Sequence, residues 1–462
     1  MGPTMADNSQ QIAGWERYKP SEAAPWNRER VVHLHRRAAF AATWAEIERD
    51  VADGPAAAVD RLLSGKARTS AAPPDFESMA RIIGDAACAS NDAVRLKAWW
   101  LYRMLLSPDP LGERLTLLWH NHFATSNRKV QDLVYMREQN ELLRKHALAP
   151  FGELLAAVVK QPAMLVWLDA DSNRAGHANE NLAREMMELF TLGIGHYTEA
   201  DVQAAARALT GWSVADKAYS FVSTRHDDRE LTLLGRRGKL TGDDLLAILI
   251  EHPATARRVA WRICTMFFGE GAVSDAALDA LSAELHARKL DIRWAAETVL
   301  RSQRFYALEN LRTRILGPVE FIVGCLHALE LCQPPPSTVL LAEWAMRMGQ
   351  DLFYPPNVGG WPEGRSWLSS RAVIARANFA TALVEGSLWN SDHRPDLRRL
   401  VERNSKAAGL EQSVEWLAEL IYGQPLSSAI NVAHAAARGK DEKEKLAAAL
   451  ATLLSNPEAQ LG

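Results

Sequence analysis

Two histidines separated by one residue, in Trp119-His120-Asn121-His122-Phe123, are the first groups along this chain equipped for chemistry. Neutral imidazoles ligate transition metals and serve as general acids and bases near neutral pH. Residues at i and i+2 do not share a helix face. The pair therefore converges only if the preceding helix stops at His120, which the polar run Ala124 to Asn127 suggests. Alternatively, His120 caps a helix C-terminus, where the macrodipole favours it, and His122 is a hydrogen-bonded core residue.

A second cluster spans Asp169 to Glu180. Set against the twelve-residue calcium loop, oxygen ligands fall at positions one, three and five as Asp169, Asp171 and Asn173, with Glu180 at position twelve. Position six, where that loop turns on a glycine, holds Arg174, and Gly176 comes two places late. The alternative is a polar connection in which Asn179 or Asn181 caps the next helix. On that helix Glu180, Arg184 and Glu188 share a face, and Glu185 neighbours Glu188 at i, i+3. Leu182, Met186 and Leu189 flank these acids and would partly bury them.

Together these groups suggest a histidine–carboxylate centre. His120, His122, Glu185 and Glu188 would work as acids, bases or ligands. The ion would be iron, manganese, zinc or calcium, because the donors mix imidazole and oxygen. The other outcome is a salt-bridged helix face. A softer signal runs from Tyr354 to Trp367, where proline and glycine stiffen a loop carrying Asn357, Trp361 and Trp367. With Arg184, these would contact a peptide or carbohydrate; otherwise the loop caps a helical core.

Other catalytic patterns are missing. H-E-x-x-H, G-x-S-x-G, a phosphate-binding Walker loop and E-x-x-H do not occur. Gly193-Ile194-Gly195 follows a helix and lacks the third glycine of a dinucleotide fingerprint. The net charge of −3 supplies no basic footprint for nucleic acid. No run of 18 apolar residues is long enough to span a membrane. Met1 to Pro20 has no apolar signal core, so a cytoplasmic location is expected. Cys88, Cys264, Cys325 and Cys332 show no C-x-x-C or zinc-finger spacing and read as buried thiols.

The elements that must position these groups are helices. Apolar residues recur at helical spacing, as Leu96, Trp99, Trp100 and Met104 between Asp92 and Leu106, and Leu115, Leu118 and Trp119 between Leu111 and His120. Thr43 with Glu46, and Thr198 with Asp201, read as box-type helix starts, and Gly54-Pro55 as a stop. A single helix is predicted from Asn181 to Leu192. Only 213–240 lacks the helical period, which predicts a small hairpin or a long loop there. Strands do not alternate with helices, so the fold class is all-α. A chain of 462 residues can fill a large core and admits two lobes. The expected organisation is a flexible N-terminus over 1–27, a helical domain over 28–390 and a helical extension over 391–462.

Several long motifs, in order, resemble the bacterial domain-of-unknown-function 1800 family between about residues 28 and 385. They include His33 to Phe40, Trp119 to Phe123, Asn179 to Gly193, Tyr197 to Val202 and Ala206 to Trp212. His226-Asp227, His252 to Ala256, Gly317-Pro318-Val319-Glu320, Met348-Gly349-Gln350 and Pro356 to Pro362 continue the series. The resemblance implies a large helical fold and assigns no chemistry. It also implies export for many members, and a neighbouring gene of phosphatase- or sulfatase-like appearance. Two functions are therefore expected in competition. One is a metal-dependent enzyme oxidising or hydrolysing a peptide, glycan or envelope-related substrate. The other is a non-catalytic binding or assembly partner of a neighbouring enzyme, with at most a structural calcium ion.

Overall fold

The computed structural model describes residues 12–68, 72–389 and 394–462. Among them are 22 α-helices and two small two-stranded sheets, so the all-α expectation holds. The 213–240 segment forms two antiparallel hairpins. Trp212–Ala215 pairs with Ala218–Phe221, and Leu231–Leu233 with Arg236–Gly238. No described helix is long and apolar enough to cross a membrane.

Local sequence sets the helix ends. Thr43 accepts from Glu46 N–H while the Glu46 carboxylate accepts from Thr43 N–H, the reciprocal box the sequence predicts. Gly54, at φ 84°, bends the helix Trp44–Leu63 where a stop was expected. Pro162 starts a new helix, so Phe151–Val158 and Pro162–Trp167 are separate. The N-terminal segment, described from residue 12, is tied down: Trp15 is buried and its indole N–H donates to Ala277 O at 2.8 Å. Residues 1–11 lie outside the described residues.

Apolar side chains gather into two cores. Leu111, Leu115, Trp119, Phe151, Phe190 and Phe267 belong to the first. Trp99, Trp100, Phe321, Phe353, Trp361 and Leu417 belong to the second. The helices beyond 391 are part of the second core, since Leu417, Leu420, Leu450 and Leu453 are buried in it.

The helices Arg28–Ala38 and Pro110–His122 serve both cores. Leu34 and Leu115 face the first, Val31 and Leu117 the second. The seam between them is charged. Arg36 donates to Ile421 O and Ala459 O, both at 2.7 Å. Arg37 donates to Phe267 O at 2.8 Å and to Asn310 O at 3.0 Å. Ile421 and Phe267 lie in the last turns of their helices, where unpaired carbonyls and the negative end of the dipole favour a cation.

Arg37 thus joins the first helix to two segments far along the chain with one planar fork. Replacing Arg37 by Met should cost about 3 kcal/mol in urea unfolding, because buried carbonyls lose charged donors. Arg37→Lys should recover little of it, since an ammonium cannot span both acceptors.

Candidate functional site

His120 and His122 both lie within one helix, Pro110–His122, which continues two residues past the expected stop. They therefore diverge. The His120 ring stacks on Trp361 at 5.3 Å and meets Trp100 and Phe353 edge-on. Neither of its nitrogens has a hydrogen-bond partner, and burial lowers its pKa to about 3. His122 points into a nest of Phe123, Phe151 and Phe190, and its Nε2 lies 3.0 Å from Phe190 O. Burial first, then Arg262 and Arg258, hold it well below the usual histidine range. Both rings are neutral at physiological pH.

The Asp169–Glu180 oxygens do not converge either. Asp169 binds Lys129 and Asn181; Asp171 binds Ser213 and Arg225. Asn173 donates to Ala206 O and accepts from Asn179 N–H, and Glu180 pairs with Arg184. Each would-be ligand is spent on a different protein partner. Asn179 accepts from Asn181 N–H within this polar connection, but the N-cap position is held by Glu180, whose side chain makes no capping bond.

The helix that follows is not regular. Asn181–Glu185 is α-helical, but Met186–Thr191 widens into a π-helix. The extra residue per turn moves Glu188 off the Glu180–Arg184 line. Arg184 pairs with Glu180 and Glu199, while Glu188 accepts from the Tyr197 hydroxyl at 2.9 Å. Burial, and then Glu188, raise the pKa of Glu185. Among the described residues, no three His, Cys, Asp or Glu side chains are placed to hold a metal ion. The proposed donor set therefore does not fit a shared divalent ion in this arrangement.

The aromatic loop leads elsewhere. Asn121, between the two histidines, accepts from Trp361 N–H at 2.6 Å and donates to Glu363 at 2.6 Å. Gly360 has φ 88°, and a side chain there would lie 2.2 Å from Asn121 Oδ1 and 2.5 Å from its backbone oxygen. The loop is thereby pressed onto the end of the Pro110–His122 helix. Asn357 turns the loop by accepting from Gly359 N–H. Trp361 is buried behind it, and Trp367 forms one wall of a cleft of about 850 Å³.

This cleft is lined by residues of both cores and of the charged seam. Arg114 and Arg314 face each other across Glu320, and both form ion pairs with it. Pro318 starts the helix Pro318–Ala328, which sets Glu320 in its first turn. There Glu320 accepts Gly317 N–H at 2.6 Å, and the positive end of the dipole favours its charge. Burial raises the Glu320 pKa, but the two arginines and the amide outweigh it and hold the carboxyl at about 2. Farther out, Glu363 joins Arg262 at 3.3 Å, and Gln350 accepts from Val319 N–H at 3.0 Å.

Of the residues the sequence singled out for chemistry, Trp367 alone lines the cleft; Trp361 braces it through Asn121. Arg184, Glu185 and Glu188 do not line it. Arg114, Arg314, Glu363 and the role of Glu320 were missed. One signal was present: Arg114 falls at Leu111+3 and Leu118−4, on the apolar stripe of its helix.

Residues 33–461 match a family described as a protein of unknown function, DUF1800. The chain belongs to the DUF1800 family. The match runs on through the segment past 390, beyond the stretch over which motifs were recognised in the sequence. Among curated proteins and among solved structures, nothing matches the chain. Three family-like motifs of this DUF1800 chain, around Asn121, Glu320 and Gln350, meet in the cleft.

Two outcomes are expected. Glu320 lies below its unfolded value of 4.5, so its stabilisation is complete above about that pH and falls away as pH drops towards 2. Glu320→Gln should cost about 3–5 kcal/mol at pH 7 by leaving the buried Arg114 and the part-buried Arg314 unpaired, and should flatten the acid limb of a stability–pH curve. Gly360→Ala should lower stability by about 1–3 kcal/mol through the strained backbone and the clash with Asn121, read as a fall in Tm.

Proposed function

We propose that this protein is a binding protein, with its site in the cleft beside Glu320 rather than at the two histidines. The observation that carries this is the kind of charge in the cleft lining. Its ionisable side chains are arginines and glutamates: Arg114, Arg314, Arg365, Glu270, Glu309, Glu320 and Glu363. Arginine stays protonated, and Glu320 is held at about 2. The Arg114–Glu320 ion pair at the centre of the lining therefore keeps its charges across the physiological range. General acid–base work needs a group whose pKa lies near the working pH. Fixed charges interleaved with Asn121, Gln350 and Trp367 suit recognition.

The ligand is a polar, charged segment of peptide or envelope-related glycan, held for an enzyme partner encoded nearby. The cavity volume falls in the range that encloses most of a small ligand or a short segment of a larger one.

Ala272 lies exposed on the lining and can be enlarged without entering either core. Peptide and glycan panels titrated against the full chain should give saturable binding, with the ligand recovered unchanged. Ala272→Trp should weaken that binding about tenfold or more by filling the mouth. Chemical turnover of a ligand that persists in Ala272→Trp and stops in Glu188→Gln would overturn the proposal in favour of the histidine–carboxylate enzyme.

A further inference from the structure

The floor of the cleft carries more buried positive than negative charge. Five guanidinium groups act on Glu320: Arg114 and Arg314 directly, and Arg36, Arg37 and Arg376 from behind. Arg36 donates to the carbonyls of Ile421 and Ala459. Arg37 holds Phe267 O, Asn310 O and the Thr313 hydroxyl. Arg376 holds Leu316 O and the Gln460 side chain. Carbonyl oxygens solvate these cations but contribute no formal charge. The Nε atoms of Arg37 and Arg376 are buried without a hydrogen-bond partner.

Asn310 and Thr313, which Arg37 grips, are themselves part of the cleft wall, so this charge stands directly behind the open space. Acids are present as well. Glu363 is engaged by Arg262 and Asn121. Glu270 and Glu309 are exposed on the lining. Solvent screens exposed charges, whereas charges at a buried floor are screened much less. A recess with such a floor focuses a positive field outwards.

We infer that the floor of the cleft, at Arg114 and Arg314 with Gln350, binds an anionic group of the ligand, a carboxylate or a phosphate. This inference rests on the cleft being a binding site, and it names the ligand's chemistry there. The anion brings the negative charge that Glu320 alone does not supply. Glu320 occupies the paired Nη1 and Nη2 donors of Arg314, and Arg37 O those of Arg114 Nε and Nη2, so the anion is met by their remaining N–H groups, and carboxylate and phosphate both accept such charge-assisted bonds. Arg365, exposed on the lining, adds a third cation for an extended ligand.

The test is calorimetric titration of the full chain with inorganic phosphate and with succinate, at ionic strength matched by chloride. Saturable binding of at least one is expected. Ala272→Trp should weaken it about tenfold, and Arg365→Gln should weaken it several-fold, since charge-assisted contacts dominate. Phosphate without succinate would assign a phosphorylated ligand, and the reverse a carboxylate such as a peptide C-terminus. Neither anion binding above the chloride control would overturn the inference. So would binding that Ala272→Trp leaves unchanged, since the anion would then sit elsewhere. Glucose and putrescine, titrated in parallel, separate the two levels. If they bind in an Ala272→Trp-sensitive way while the anions do not, the cleft remains a binding site and only the anionic assignment falls.

Discussion

The carboxylate of Glu320 is the constraint around which the middle of this molecule is arranged. A buried guanidinium is tolerable only where oxygen atoms and negative charge surround it. The seam contains arginines from the helix Arg28–Ala38, from Pro110–His122, from the connection before Pro318 and from Ser370–Glu385. Glu320 is fixed at the start of its own helix by Gly317 N–H and sits where these arginines meet. The remaining donors are used on the carbonyl ends of neighbouring helices. Elements distant in sequence are thereby locked at one point, with directional bonds that apolar packing cannot provide.

The cleft follows from the same arrangement. Charged and amide side chains along a seam cannot interdigitate as Leu and Phe do in the cores on either side. Space is left beside them, and Trp367 and the loop pinned by Asn121 bound it. The two histidines are neighbours of this construction. His120 is a neutral aromatic plate beneath Trp361, and His122 braces the π-helical turn through Phe190. Their burial makes them parts of the scaffold that holds Asn121 between them.

Much of the fold was legible because helices announce themselves through local spacing. The reciprocal cap at Thr43 and Glu46, the bend at Gly54-Pro55 and the irregular 213–240 stretch all arise from short-range chemistry. The site was less legible, for physical reasons. Whether His120 and His122 converge depends on where a helix ends, and two more residues of helix sent them apart. The π-turn after Glu185 changed which acids share a face, and no residue type between Met186 and Thr191 signals that widening. The Asp169 loop had ligand-like spacing, yet the partners that took its aspartate oxygens include Lys129 and Ser213, 40 and 42 positions away in sequence. The cleft itself was signalled only by arginines placed on apolar stripes: Arg114 beside Leu111 and Leu118, Arg37 one turn from Leu34. Gly317 to Glu320 was visible as a motif, but its meaning depends on partners brought from four other segments.

Amide hydrogen exchange on the full chain, with and without a polar extract of peptides and cell-envelope fragments, tests most directly where this protein engages its ligand. Slowed exchange confined to 309–320 and 363–367 is the predicted result. Slowed exchange at 119–123 and 180–188, with the cleft segments unchanged, would contradict it and return the function to the histidines and the acidic helix.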